Sequence, residues 1–328
     1  MSKKKSRTNM RAKATTSHSA TTSYQNATGK ITYTFTNDYM FRAILQRNKT
    51  VLKGLICSLL HLDPDSVISI TINNPIELGK SIDNKEFVLD LNITLNNHTH
   101  INLEMQVENE LNWNDRSLSY LCRTFDQLYR GQNYSHASPV IHIGFLNFSL
   151  FPSNAEFYAI YKLLNFKTHQ EFSDKFTLSV VDLTHIDEAT EEDRFYQIDR
   201  WAKIFRATTW EELKTLAEGD EYMAQATQEL YECNADELIQ QQCRAREEYY
   251  QYQRTINKAL KDTTEERNRL AAEKELLAAN NEQLTLEREQ ILETLKAQEQ
   301  IIDESTKQHA EDQKRIAELE EKLRRLQG

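Results

Sequence analysis

The distribution of apolar positions divides this chain before any single residue is considered. After an opening stretch with little apolar content, Thr36-Asn37-Asp38 offers a helix cap, with Thr36 or Asn37 as the anchor. Helical spacing follows over 39–60: Met40, Phe41, Ile44, Leu45, Leu52, Leu55, Ile56 and Leu59, with Pro64 beyond the end. Alternation then predicts a strand over 67–72 and a second over 87–95, where Leu89, Leu91, Ile93 and Leu95 share a side opposite Asp90. Asn96-Asn97-His98 is a turn signal, and 101–107 is the partner strand. Ile101, Leu103, Met105 and Val107 form its apolar face, and Asn102, Glu104 and Gln106 its polar one. A helix over 114–130 stopped by Gly131, a strand over 139–148 and a strand over 176–183 complete the series. The order helix, three strands, helix, strand, strand predicts an α/β or α+β unit on a mixed sheet.

The pattern changes near residue 210. Residues 211–261 read as a polar helical connector rich in Glu, Gln and Tyr. From Asp262 onward there is no proline, and no glycine before Gly328. A seven-residue seam runs through Leu270, Leu277, Leu284 and Ile291, fails at Gln298, Ser305 and Asp312, and recovers at Leu319 and Leu326. Its companion runs through Arg267, Lys274, Asn281, Arg288, Leu295, Ile302, His309, Ile316 and Leu323. That period predicts a coiled coil over 262–328 with a weak middle, and self-association as a homo-oligomer. A long single helix is the competing reading.

Charge sharpens this partition. The formal net charge is −10. The first 29 residues carry six Lys or Arg and no acid, whereas 262–328 hold 17 acids and 11 bases. The basic arm (1–30) reads as a solvated, disordered segment or as one that touches nucleic acid, and no apolar core of a signal peptide follows it. The compact domain is expected over 31–210. Four cysteines with no CxxC exclude a disulfide scaffold and fit a reduced, cytoplasmic setting. No apolar run is long enough to span a bilayer. The absence of GxGxxG and GxxxxGK[ST] removes support for a nucleotide-binding fold.

The candidate chemistry lies on the predicted hairpin. The short turn brings Asp90 toward Glu104, and strand geometry sets Glu104 and Gln106 about 6–7 Å apart on one face. Two converging carboxylates suit a hard cation such as Mg²⁺; a solvated sheet face is the competing reading of the same spacing. Arg116, Arg123 and Arg130, seven apart, form a helical stripe that, with Tyr120 and Lys85, could hold phosphates unless neighbouring acids neutralise it.

Taken in order, these residues resemble a known family. Residues 35–183 are similar to the PD-(D/E)XK nuclease family transposases, also called recombination-promoting nucleases. The segment FTNDYMFRAIL resembles that family's opening helix, and Lys85…Val88-Leu89-Asp90 its K…x-L-D element. Asn102-Leu103-Glu104-Met105-Gln106 resembles its I-E-M-Q strand. Arg116-Ser117-Leu118-Ser119-Tyr120, Leu128–Tyr134 and Pro139–Ile143 match the helix and strand that follow. The later E-L-x-K reads Val181-Asp182-Leu183-Thr184, a departure that leaves that lysine's role missing or moved.

The resemblance implies a restriction-endonuclease-like core that cleaves DNA with Mg²⁺, or Mn²⁺ in its place. It implies Asp90 and Glu104 as metal-binding carboxylates and Asp38 as an additional acid near the metal. Gln106 stands where the wider superfamily has lysine, and orients water through hydrogen bonds. Recombination or mobile DNA is the implied setting. An inert DNA-binding or coiled-coil interaction protein is the alternative.

Overall fold

The computed structural model describes residues 23–76, 90–126 and 131–326. The helical run over 39–60 is two helices, α1 (Asp38–Arg47) and α2 (Lys49–Leu59). Asn48 makes the break. Its backbone is extended, its amide donates to the carbonyl of Ile44, and its side chain accepts from the amides of Thr50 and Val51. An Asn that satisfies the first turn of a new helix ends the old one at little cost. Asn37 rather than Thr36 caps α1, accepting from the amide of Met40.

Three antiparallel strands follow: β1 (Ile70–Ile72), β2 (Leu91–Leu95) and β3 (Thr99–Gln106). The first strand is shorter than expected, and 87–89 lie outside the described residues. Asn96 and Asn97 both take positive φ in the turn, a conformation Asn tolerates well. Next come α3 (Trp113–Phe125), β4 (Val140–Leu146), β5 (Tyr158–Lys162) and β6 (Phe176–Asp182). The sheet order is β1-β2-β3-β4-β6-β5, with β3, β4 and β6 parallel and β5 antiparallel at the edge. The sheet is mixed, as expected. β5 was not anticipated: its burial pattern is irregular, so its sequence lacks strand alternation.

One sheet face carries Leu91, Ile93, Ile101, Leu103, Met105, Ile143, Phe145 and Val181, and the main core lies there. The other carries Asn102, Glu104, Gln106, His142 and Gly144, and α3 covers it. Gly144 permits that cover, because a Cβ there would sit 2.3 Å from the ring of Trp113.

Helical packing on the core continues past residue 210. After β6 come α4 (Glu191–Phe195), α5 (Ile198–Arg206), α6 (Trp210–Ala217), α7 (Glu221–Ala235) and α8 (Glu237–Leu326). Leu213, Met223, Ala226, Leu230, Cys233, Ile239 and Cys243 all enter the main core. The side-chain amide nitrogen of Asn37 donates to the carbonyl of Cys243, fixing the start of α1 against α8. The compact unit runs to Gln251, so the expected connector is mostly part of it, and a second unit covers 252–328. In that second unit the seam residues are solvent-facing on one long helix. The cysteines are unpaired. Cys57, Cys233 and Cys243 are buried, while Cys122 is exposed. Among the described residues no helix is long and apolar enough to cross a membrane.

Candidate active site

The β2–β3 register pairs Leu91 with Leu103. One residue further out, Asp90 therefore faces Glu104. Arg42 of α1, with no solvent exposure, fixes that position. It donates through Nη1 to the main-chain carbonyl of Asp90 and through Nη2 to that of Asn74. Asn74 donates to the same Asp90 carbonyl at 2.9 Å, and its own side-chain oxygen accepts from the amide of Asn92. An arginine with five fixed donors suits this task. Burial lowers its pKa to about 10, although the nearby Asp90 charge acts in the opposite direction.

Asp90, Glu104 and Gln106 are each less than 10% exposed, so the polar face of the hairpin is not a solvated one. They line a cavity of about 160 Å³ with Asp38, Met105, Glu110, Arg116, Tyr120, Arg246, Tyr249 and Tyr250. That volume accommodates an ion with several waters. Burial, then the Glu104 charge, pushes the Asp90 carboxyl up to about 7. Two buried acids with an amide oxygen beside them form a set of hard oxygen donors. The chemistry of this donor set fits a divalent cation.

Arg116 of α3 does not project along an outward stripe. Its Nη2 donates to Glu104 Oε1 and to Gln106 Oε1, and its Nη1 lies 3.7 Å from Glu110. Gln106 in turn donates through Nε2 to the carbonyl of Glu108 at 2.8 Å. Tyr120 joins the cavity, and burial, then Asp90, raises its pKa. Arg123 is exposed on α3. Lys85 and Arg130 lie outside the described residues.

Asp38 reaches the cavity but is committed elsewhere. Its carboxylate accepts from Arg246 Nε at 3.0 Å, and also from Arg246 Nη2 and the hydroxyl of Tyr250. Burial and then Asp38 raise the Tyr250 pKa. Among the described residues no group of three or more His, Cys, Asp or Glu side chains is arranged to hold a metal. Asp90 and Glu104 face each other across the hairpin, and Asp38 stands at the cavity wall paired with Arg246.

Sequence reasoning assigned no role to Arg42, His142, Arg246 or Tyr250. Arg42 sits within an apolar helical run, and Arg246 within the polar connector. The signal available was the type itself, because a charge inside a core-facing stripe needs a partner. A larger hollow near Leu183 and Leu216 contains no comparable set; there Arg206 donates to the carbonyl of Leu183, and Glu212 caps α6.

No curated protein and no solved structure matches this chain. The family model for PD-(D/E)XK nuclease family transposases matches residues 35–259, a span that takes in Asp38, Asp90, Glu104, Gln106 and also Arg246 and Tyr250. The match covers more than half of the sequence and reaches well past the 35–183 of the motif resemblance, and on that ground the chain belongs to the PD-(D/E)XK nuclease family transposases.

Proposed function

We propose that this protein is a Mg²⁺-dependent DNA endonuclease with a restriction-endonuclease-like core. The observation that carries this reading is the buried Asp90–Glu104 pair facing one small cavity with Gln106. Two acids set opposite each other across a hairpin, with one carboxyl pushed up to about 7, are costly to ionise together unless a cation or proton joins them.

Asp90, Glu104 and the main-chain carbonyl of Met105 would hold the ion, with Mn²⁺ as a substitute. When bound, Mg²⁺ supplies polarisation of a phosphate oxygen and a lowered pKa for water. The chain's own residues do the rest. Gln106 orients the attacking water through its amide, for which Arg116 first leaves Gln106 Oε1. Arg116 then offers its guanidinium to a phosphate, a better geometric match than a single carboxylate oxygen. Tyr120, Lys85, Arg123 and Arg130 hold flanking phosphates. Hydrolysis adds the water oxygen to phosphorus, breaks one P–O ester bond and places the proton on the leaving oxygen. A few local basic contacts suffice for DNA despite the acidic total, because phosphate spacing on the duplex is dense.

Asp38 serves this reading as the anchor of Arg246 on the cavity wall. The tail over 262–328 forms a coiled coil with a second copy and pairs two nuclease units. The test is cleavage of plasmid DNA with Mg²⁺, with EDTA, and by Asp90→Ala and Glu104→Ala. Cutting that requires the metal and disappears in both variants supports the enzyme. Cutting that persists in either variant, or no cutting by the wild type with any DNA form, favours the inert alternative.

A further inference from the structure

Behind the two carboxylates lies a line of polar groups on the covered face of the sheet. Asn102 of β3 pairs in register with His142 of β4, and His142 has no solvent exposure. The Asn102 amide nitrogen is 3.5 Å from Asp90 Oδ2 and 3.1 Å from His142 Nδ1. On the other side of the ring, His142 Nε2 lies 3.3 Å from Glu104 Oε2. Both atoms are buried, and neither completes a hydrogen bond among the described residues, this 3.3 Å approach included. Trp113 and Tyr120 flank the ring, with centroids 5.9 Å and 6.3 Å away.

The hydrogens in this line are set by elimination. The amide nitrogen of Asn102, a donor only, faces Asp90 Oδ2, which accepts. The second hydrogen of the same nitrogen is then directed at His142 Nδ1, which must accept it. The ring proton is left on Nε2, the nitrogen that faces Glu104. A histidine that merely filled the core would need one partner. This one has each ring nitrogen directed toward one of the two acids, through Asn102 on one side and directly on the other.

We propose that His142, fixed by Asn102 in its Nε2–H form, is a positioning residue for Glu104. It holds Oε2 at the back of the cavity and leaves Oε1, now engaged by Arg116, as the oxygen presented to a cation. Asn102 does the corresponding work for Asp90. This rests on the metal-nuclease reading above. Removal of a hydrogen-bond partner behind a ligating carboxylate typically weakens metal affinity 10- to 100-fold.

The test reads metal binding without DNA. Mn²⁺ titration by calorimetry is compared for the wild type, Glu104→Gln, His142→Gln and His142→Asn, with urea unfolding of each in EDTA. Glutamine can place an amide donor near the Nε2 position, and asparagine reaches only as far as Nδ1. His142→Gln is expected to bind within about 3-fold of the wild type and His142→Asn about 10- to 100-fold more weakly. The loss is expected to vanish in a Glu104→Gln background, since partners in one contact are not additive. Equal affinity of His142→Asn and wild type overturns the positioning role and leaves the site reading intact. No Mn²⁺ binding by the wild type, or binding indifferent to Glu104→Gln, overturns the site reading and this proposal with it. Nitrogen-15 spectra of the metal-free wild type decide the case if the variants do not fold: a proton on Nε2 is required, and a proton on Nδ1 alone refutes it.

Discussion

The guanidinium of Arg42 donates to the main-chain carbonyl of Asp90, so a buried residue of the first helix fixes the backbone of the site's first acid. The same side chain also donates to the Asn74 carbonyl and, through Nε, to Gln46. Lysine cannot satisfy these positions together, since it is a point donor on a flexible stem. Arg42→Lys is expected to lower stability by about 1–3 kcal/mol, the cost of leaving the Asn74 carbonyl unpaired, since the Asp90 carbonyl keeps its Asn74 donor. Urea unfolding in chelator measures this, and a change under about 0.5 kcal/mol would remove Arg42 from the scaffold of the site.

Asp90 carries the opposite sign. Its carboxyl is pushed up to about 7 by burial and then by Glu104. The unfolded chain ionises it near the ordinary carboxylate value of about 3.9. Its contribution to folding is therefore full below pH about 4 and is lost as pH rises through about 7. Asp90→Asn removes the ionisation. In EDTA it is expected to gain about 1–3 kcal/mol over the wild type at pH 8, less at pH 5, and nothing near pH 3.5. Denaturation midpoints at the three values check this. A wild type that gains on the variant as pH rises would reverse the sign and sink the argument.

Asp38 separates from Asp90 on the same measurement. Its carboxylate is the counter-charge of Arg246, which is 7% exposed. Removing one member of a buried pair leaves the other uncompensated, typically at a cost of about 3–5 kcal/mol. Asp38→Asn is thus expected to destabilise the metal-free protein strongly at pH 8, where Asp90→Asn stabilises it. Tyr250→Phe, which removes one hydroxyl donor, is expected to cost about 1–2 kcal/mol. If Asp38→Asn left stability unchanged and only weakened Mn²⁺ binding, Asp38 would be a metal ligand rather than a wall residue.

The sequence reveals some of these partners and conceals others for definite reasons. The alternation of Leu91, Ile93 and Leu95 against Ile101, Leu103 and Met105 fixes the hairpin, its turn and its apolar face, because one residue of slip would expose them all. The second face is misleading. Asn102, Glu104 and Gln106 alternate as a solvated face would, yet α3 buries them, and the enabling residue is Gly144 on another strand. The wall of the cavity is less accessible still. Asp38 and Arg246 are 208 positions apart. A polar helix read locally gives no hint that its first turns close a core. The edge strand β5 shows only one buried residue, too few to display a period.

The seam of α8 gives the last expectation. Leu270, Leu277, Leu284, Ile291, Leu295, Ile302, Ile316, Leu319, Leu323 and Leu326 are all about half exposed or more on the single chain. They recur at the spacing that keeps one stripe toward a partner helix. A helix that gained nothing from this stripe would be marginal in water, since helical stability comes mostly from packing an apolar face. Asn281 sits between Leu277 and Leu284 in the companion series, where a buried amide costs stability but restricts register. Sedimentation equilibrium is expected to find the 328-residue chain oligomeric and a chain ending at residue 261 monomeric. Leu277→Asp with Leu284→Asp is expected to weaken association at least 10-fold while leaving urea unfolding of the compact unit unchanged, because two charges placed in the seam resist burial. An oligomer that survives the truncation would assign self-association to another surface.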